Sequence, residues 1–222
     1  MRTPFAVAAL ACALLVPSAA GAATVSVGDA ACHRAAAGDE VVVTGAGFDP
    51  LTDVEVKVAG ALVATGEADE GGGLRVSIPV PAPPLSGPFR GERAYELSLR
   101  QGRNSASTTL RVALPIADFS PRSGSPRKVR VRFTAIGFGA GEETMPTVYV
   151  HYVDPAGRLK QTTSLGRGAA PCGTIKKSAL RRLFPFAPRK GTWTLQLDTR
   201  RSYRRATEDS GFAFAKIRVR VG

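Results

Sequence analysis

The sequence predicts an all-β protein of two β-sandwich domains in tandem. Three observations carry that expectation: alternation of apolar and polar residues with a period of two, turn residues between the alternating runs, and a repeat within the chain. Few aromatics and abundant Gly and Pro favour short strands joined by turns over long helices.

The alternation recurs along the chain. Val54, Val56 and Val58 alternate with Asp53, Glu55 and Lys57, and Tyr95, Leu97 and Leu99 with Glu96, Ser98 and Arg100. Farther on, Val129, Val131 and Phe133 alternate with Lys128, Arg130 and Arg132. Trp193, Leu195 and Leu197 alternate with Thr194, Gln196 and Asp198, and Ile217, Val219 and Val221 with Lys216, Arg218 and Arg220. Each run reads as a strand with one buried and one wet face. Asp49-Pro50, Gly71-Gly72-Gly73, the Pro79 to Pro88 cluster and Asp154-Pro155-Ala156-Gly157 punctuate the runs as turns. Thr174 to Leu183 fits either a short helix or a strand.

The repeat pairs Val41-Val42-Val43-Thr44-Gly45-Ala46-Gly47-Phe48 with Val131-Arg132-Phe133-Thr134-Ala135-Ile136-Gly137-Phe138, an offset of 90 residues. Tyr95 to Leu99 then matches Trp193 to Leu197, and Leu110 to Val112 matches Ile217 to Val219, in the same order. One repeat is the length of a small sandwich domain. Pro115 interrupts the alternation between the copies, so the expected domains are 23–115 and 116–222.

Gly38 to Phe48, followed by Val54, Val56 and Val58, resembles the opening of bacterial immunoglobulin-like modules of the TIG type. Such modules begin with a strand, a Gly-x-Gly-Phe corner and a second alternating strand. The resemblance implies tandem Ig-like sandwiches serving as spacers or as binding and adhesive units of exported proteins, and it brings no active site. The second copy has Ala135 in place of the first corner glycine.

Arg2, the uncharged apolar stretch Phe5 to Val16, the break at Pro17-Ser18 and the small residues Ala20-Gly21-Ala22 predict a signal peptide over 1–22. The apolar run is too short to span a bilayer, and no later segment is a candidate. The expected location is secreted or envelope-associated. Removing the signal discards Cys12 and leaves Cys32 and Cys172, one in each expected domain. An oxidising compartment favours pairing. In an up-and-down count of strands, Cys32 follows the first strand at the junction pole. The loop Gly166 to Gly173 of the second domain faces back to the same pole, so an interdomain disulfide is expected. Two free thiols or an intermolecular bridge are the alternatives.

Catalytic chemistry finds little support. His151 falls in the strand Thr147 to Val153 on the face of Tyr149, and the chain holds no Gly-x-Ser-x-Gly elbow. It reads as an ordinary surface or half-buried histidine. His33 beside Cys32 has no further Cys or His at ligand spacing. Gly137 to Gly141 lacks the Lys-Ser/Thr pair of a phosphate loop, Asp69-Glu70-Gly71 reads as a polar turn, and Trp193 as a core anchor. No cofactor is expected.

Charge is the sharpest feature. Residues 23–115 hold 8 Lys/Arg against 11 Asp/Glu, a net of −3, while 116–222 hold 21 against 7, a net of +14. An arginine-rich composition alone would have affected both halves. The candidate polyanion-binding residues are Lys176, Lys177, Arg181, Arg182, Arg200, Arg201, Arg204 and Arg205. A surface this basic attracts polyanions by long-range steering and counterion release. For an exported chain these are cell-wall polymers, acidic polysaccharides or anionic headgroups, and export argues against nucleic acid. The expectation is a non-enzymatic binding or structural module of the cell envelope. The alternative is a small-ligand-binding or enzyme-accessory protein using the domain junction.

Overall fold

The computed structural model describes residues 22–28, 30–36, 38–85, 91–207 and 210–222. The expected signal peptide lies outside the described residues except for Ala22. All regular structure in the described residues is β. The first half contributes β1 (Thr24–Val27), β2 (His33–Arg34), β3 (Glu40–Ala46), β4 (Asp53–Val58), β5 (Ala61–Glu67), β6 (Leu74–Pro79), β7 (Glu92–Gln101) and β8 (Asn104–Ala113). The second contributes β9 (Ile116–Ser120), β10 (Arg130–Ile136), β11 (Thr147–Val153), β12 (Leu159–Arg167), β13 (Arg181–Arg182), β14 (Gly191–Asp198) and β15 (Phe214–Val221).

Four sheets form, in the orders β1-β3-β6, β2-β8-β7-β4-β5, β9-β10-β13 and β12-β11-β14-β15. Each half pairs a three-stranded sheet with a sheet of four or five strands, and the chain visits the strands in one order in both. This is an immunoglobulin-type Greek key, in which the chain crosses between sheets. The up-and-down count is therefore corrected. The first strand divides into β1, antiparallel to β3, and β2, which crosses to the other sheet and runs parallel to β8 through His33–Val112 and Arg34–Ala113. A strand of two residues displays no period, so β2 carries no sign of that crossing.

The alternating residues build the cores as expected. Val43, Val54, Val56, Leu97, Leu99, Leu110 and Val112 are fully buried in the first. Val131, Phe133, Val148, Val150, Leu195 and Leu197 are fully buried in the second, and Trp193 is 1% exposed. Val43 and Phe133 each sit on the central strand of a three-stranded sheet. The segment 174–182 is not helical. It runs along β10, bridging Ile175 to Ala135 before pairing as β13, and Ser178 caps the Phe133 amide at 2.9 Å.

The repeated Gly-Phe corner explains its own sequence. Gly47 and Gly137 have φ of 85° and 77°, in the left-handed region that side chains disfavour, and Phe48 and Phe138 follow into the cores. Gly45 is a glycine for a different reason. A Cβ there would lie 2.5 Å from Leu99 Cδ1 and 2.8 Å from the Phe48 ring.

The expected Cys32–Cys172 disulfide is present, with an S–S distance of 2.07 Å and Cα atoms 5.3 Å apart. Cys32, Ala113, Ala140 and Cys172 form a small apolar cluster of their own at the junction. Backbone hydrogen bonds from Gly141 N–H to the Cys32 carbonyl (2.8 Å) and from Gly139 N–H to the Cys172 carbonyl (2.9 Å) flank the bridge. Thr174 Oγ1 donates to Glu92 Oε2 across the junction at 2.9 Å. With its sulfur in the disulfide, Cys32 is not a free ligand beside His33.

Candidate functional site

The segment 199–207 after β14 folds back over the outer face of its own sheet, and this reverses one reading of the sequence. Gln196 and Asp198, on the strand face expected to be wet, are 1% and 0% exposed. His151, expected at the surface or half-buried, is 0% exposed. Three groups that would be costly to bury alone are buried together because each satisfies the others and the loop backbone.

His151 Nε2 donates to Asp198 Oδ1 (3.1 Å) and to the Arg200 carbonyl (3.1 Å). The carbonyl can only accept, which places a proton on Nε2, while Nδ1 bonds the Thr162 hydroxyl at 2.8 Å. Asp198 Oδ1 also accepts the Arg200 amide (2.8 Å), and Oδ2 accepts Gln196 Nε2 (2.8 Å). Gln196 Nε2 reaches the Arg204 carbonyl (2.8 Å), and its Oε1 accepts the Ala206 amide (3.0 Å). Hydroxyl, imidazole and carboxylate stand in the order of a nucleophilic relay. Here, however, the imidazole is wholly covered, and its Nε2–H is shared between two protein acceptors. What the arrangement does is hold the loop backbone at Arg200, Arg204 and Ala206.

The held loop presents its cations outward. Arg200, Arg201, Arg204 and Arg205 are exposed. Arg200 lies over the Phe212 ring at 5.3 Å, and Lys216 over Phe214 at 5.2 Å with Nζ on the Ala206 carbonyl at 2.6 Å. Beside the loop, Tyr203, Arg205, Lys216 and Arg218 line a groove of about 290 Å³ with Thr194 and Asp154. Asp154, the groove's acid, is already committed. Arg189, Arg158 and Lys160 pair with it at 2.7, 3.4 and 3.6 Å, and its Oδ1 accepts the Ala156 and Arg158 amides of the turn. Burial pushes its carboxyl up, but the two amides and the Arg189 and Arg158 charges together hold it below the ordinary carboxylate range.

The eight candidate cations do not converge. Lys176, Lys177 and Arg182 are exposed on the other sheet of the same sandwich, along β13 and the segment leading to it. Exposed Arg130 and Arg132 of β10 extend that surface. Arg181 is the exception. It pairs with inward-facing Val131, is half-buried, and its Nη1 donates to the Ser164 carbonyl at 2.8 Å. Among the described residues, none of Arg130, Arg132, Lys176, Lys177, Arg182, Arg201, Arg204, Arg205 and Arg218 forms an ion pair. Sequence reasoning missed Lys216 and Arg218 as members of the groove, although their alternation with Ile217 and Val219 had placed them on one outward face. A wider cleft of about 830 Å³ lies at the junction, lined by Glu92, Arg167, Thr174, Lys176 and Lys177.

No protein-family model matches the chain, and no curated protein matches it. Among solved structures it is similar to bovine butyrophilin, with 12% identity over 90% of this chain and 99% of that one and a TM-score of 0.32. It is also similar to fibronectin(III)-like modules of Clostridium thermocellum CbhA, with 11% identity over 89% and 93% and a TM-score of 0.27. For Rst D1-D2 the identity is 15% over 87% and 95%, with a TM-score of 0.32. The strand order, rather than likenesses at these scores, defines the class: a pair of immunoglobulin-like sandwiches joined by a disulfide.

Proposed function

We propose that the chain is an exported, non-enzymatic module of the cell envelope that holds anionic polymers against its basic C-terminal domain. In this reading 1–22 is a cleaved signal, and 23–115 and 116–222 are two Ig-like domains of the TIG type. The observation that carries it is the pinned loop. Folding buries a carboxylate, an amide and an imidazole to fix the backbone at Arg200, Arg204 and Ala206. The neighbouring arginines are left outward beside Lys216 and Arg218. Binding then loses little loop entropy, since the backbone is ordered beforehand. Cell-wall polymers bearing phosphate and acidic polysaccharides both suit such a surface.

The test uses the mature full-length chain with polyphosphate and, separately, polygalacturonate. Binding is expected at low salt. Reversing Arg201, Arg204 and Arg205 to Glu should weaken it on the order of tenfold or more, as lost phosphate contacts do elsewhere. Undiminished affinity in that variant contradicts the role of the loop. The junction cleft favours a second reading, capture of a small anionic ligand by Lys176 and Lys177. Saturable binding of monomeric galacturonate or phosphate that Lys176→Glu abolishes would support it.

A further inference from the structure

Resting on the polyanion reading, we infer that the second sandwich is bivalent, with two independent basic faces that bridge two polyanion chains. The candidate cations fall on the outer faces of opposite sheets. One face carries Arg130 and Arg132 of β10, Arg182 of β13 and Lys176. Register fixes the direction of these side chains: Val131, Phe133 and Ala135 of β10 are fully buried, so Arg130 and Arg132 between them point away from the core. Arg182 stands opposite Arg130, and Thr134 Oγ1 bonds the Lys176 carbonyl, which puts Lys176 beside that same outward row.

The other face carries Arg204 and Arg205 of the pinned loop and Arg218 of β15. Ile217 and Val219 point into the core, so Arg218 points out. Facing sheets pack about 10 Å apart, and side chains pointing away from both carry their charges farther still. A linear polymer lying along one face cannot also touch the other without turning around an edge strand. Two chains can bind at once. Among the described residues, Asp154 and Asp198 are buried and partnered, Asp118 pairs with Arg122, and Glu92 beside Lys176 accepts from the Thr174 hydroxyl. The junction supports the same use. The disulfide and the Thr174–Glu92 bond join the first sandwich, with its net charge of −3, to the second through Cys172 and Thr174, which are not among the cations of either face.

The experiment mixes mature full-length protein with short polyphosphate chains, half end-labelled with a donor fluorophore and half with an acceptor, and a parallel arm uses labelled polygalacturonate. Bivalence predicts energy transfer between chains that rises and then falls as polymer is added in excess, with two chains per protein at saturation. Two surface variants separate the faces: Lys176→Glu/Arg182→Glu, and Arg204→Glu/Arg205→Glu. Each should still bind one chain, with transfer reduced at least tenfold. Matched variants to Gln should give the same loss in weaker form while circular dichroism stays native. Transfer that survives in one face variant overturns the inference, because a single-faced dimer would then do the bridging. Wild-type binding of one chain without transfer also overturns it, and leaves the polyanion reading standing. No binding of either polymer overturns both. The two arms separate phosphate from carboxylate chains as the polymer taken up.

Discussion

Asp198 is the residue on which most of the second sandwich's outer face converges. It accepts hydrogen bonds from the His151 ring, the Arg200 amide and the Gln196 side chain, so replacing it orphans the Arg200 amide and one Gln196 N–H and leaves the His151 N–H only the Arg200 carbonyl. Unsatisfied buried donors cost about 1–3 kcal/mol each, and relaxation of the loop recovers part of this. Asp198→Ala should therefore destabilise the protein by about 3 kcal/mol in urea unfolding and speed amide exchange at Arg200 and Ala206. Exchange unchanged at both amides would show that the loop is held by something else. Asp154 gives a prediction in pH. Its folded carboxyl is held below the ordinary range, so ionisation favours the fold. That contribution is full above the unfolded-state value of about 4 and is lost as pH falls through the lower folded value. Asp154→Asn should be less stable than wild type at pH 7, and the gap should close in acid. None of this polar network was legible in the sequence. Alternation marks Gln196 and Asp198 as outward correctly, but outward becomes wet only if nothing returns to cover it. Thr199 to Thr207 offers no apolar run to announce that it does.

The repeated corner is the element whose sequence and geometry agree most closely. In both copies a glycine in the left-handed region turns the chain, and the next residue, Phe48 or Phe138, closes the end of a core. Gly137→Ala meets two obstacles, a strained φ of 77° and a Cβ only 2.5 Å from the Leu114 carbonyl oxygen. A loss on the order of 1–3 kcal/mol in chemical unfolding is expected. A neutral or stabilising Gly137→Ala would contradict the account of the corner. The strands that carry the cores were legible because alternation is a direct record of burial: Val54, Val56 and Val58 against Asp53, Glu55 and Lys57 could face only one way. β2 and β13 were not, since two residues each cannot display a period. The non-helical course of 174–182 is likewise decided by the open edge of β10 rather than by its own residues.

For the whole molecule, the disulfide closes a loop of 140 residues and joins the two sandwiches. Chain-entropy estimates put its contribution at roughly 5 kcal/mol as an upper figure. Cys32→Ala/Cys172→Ala should unfold at lower denaturant and show a broader range of interdomain angles in small-angle scattering. A scattering profile identical to wild type would mean that the hydrogen bonds of Gly141 and Thr174 across the junction suffice. The pairing was legible by position, because each half retained one cysteine after the expected signal. The charge split was legible by counting. Its division between opposite faces required the register of β10 with β13 and the path of the β14–β15 loop, and neither is written in the local sequence. The central claim, that the basic half is a polyanion-binding surface, is tested most directly by the salt dependence of polyphosphate binding to the mature full-length chain. The account predicts that log affinity falls linearly with log salt, with the slope made shallower by Arg204→Glu/Arg205→Glu. Binding that is unchanged up to about 0.5 M salt, where charges are screened within a few Å, would contradict it.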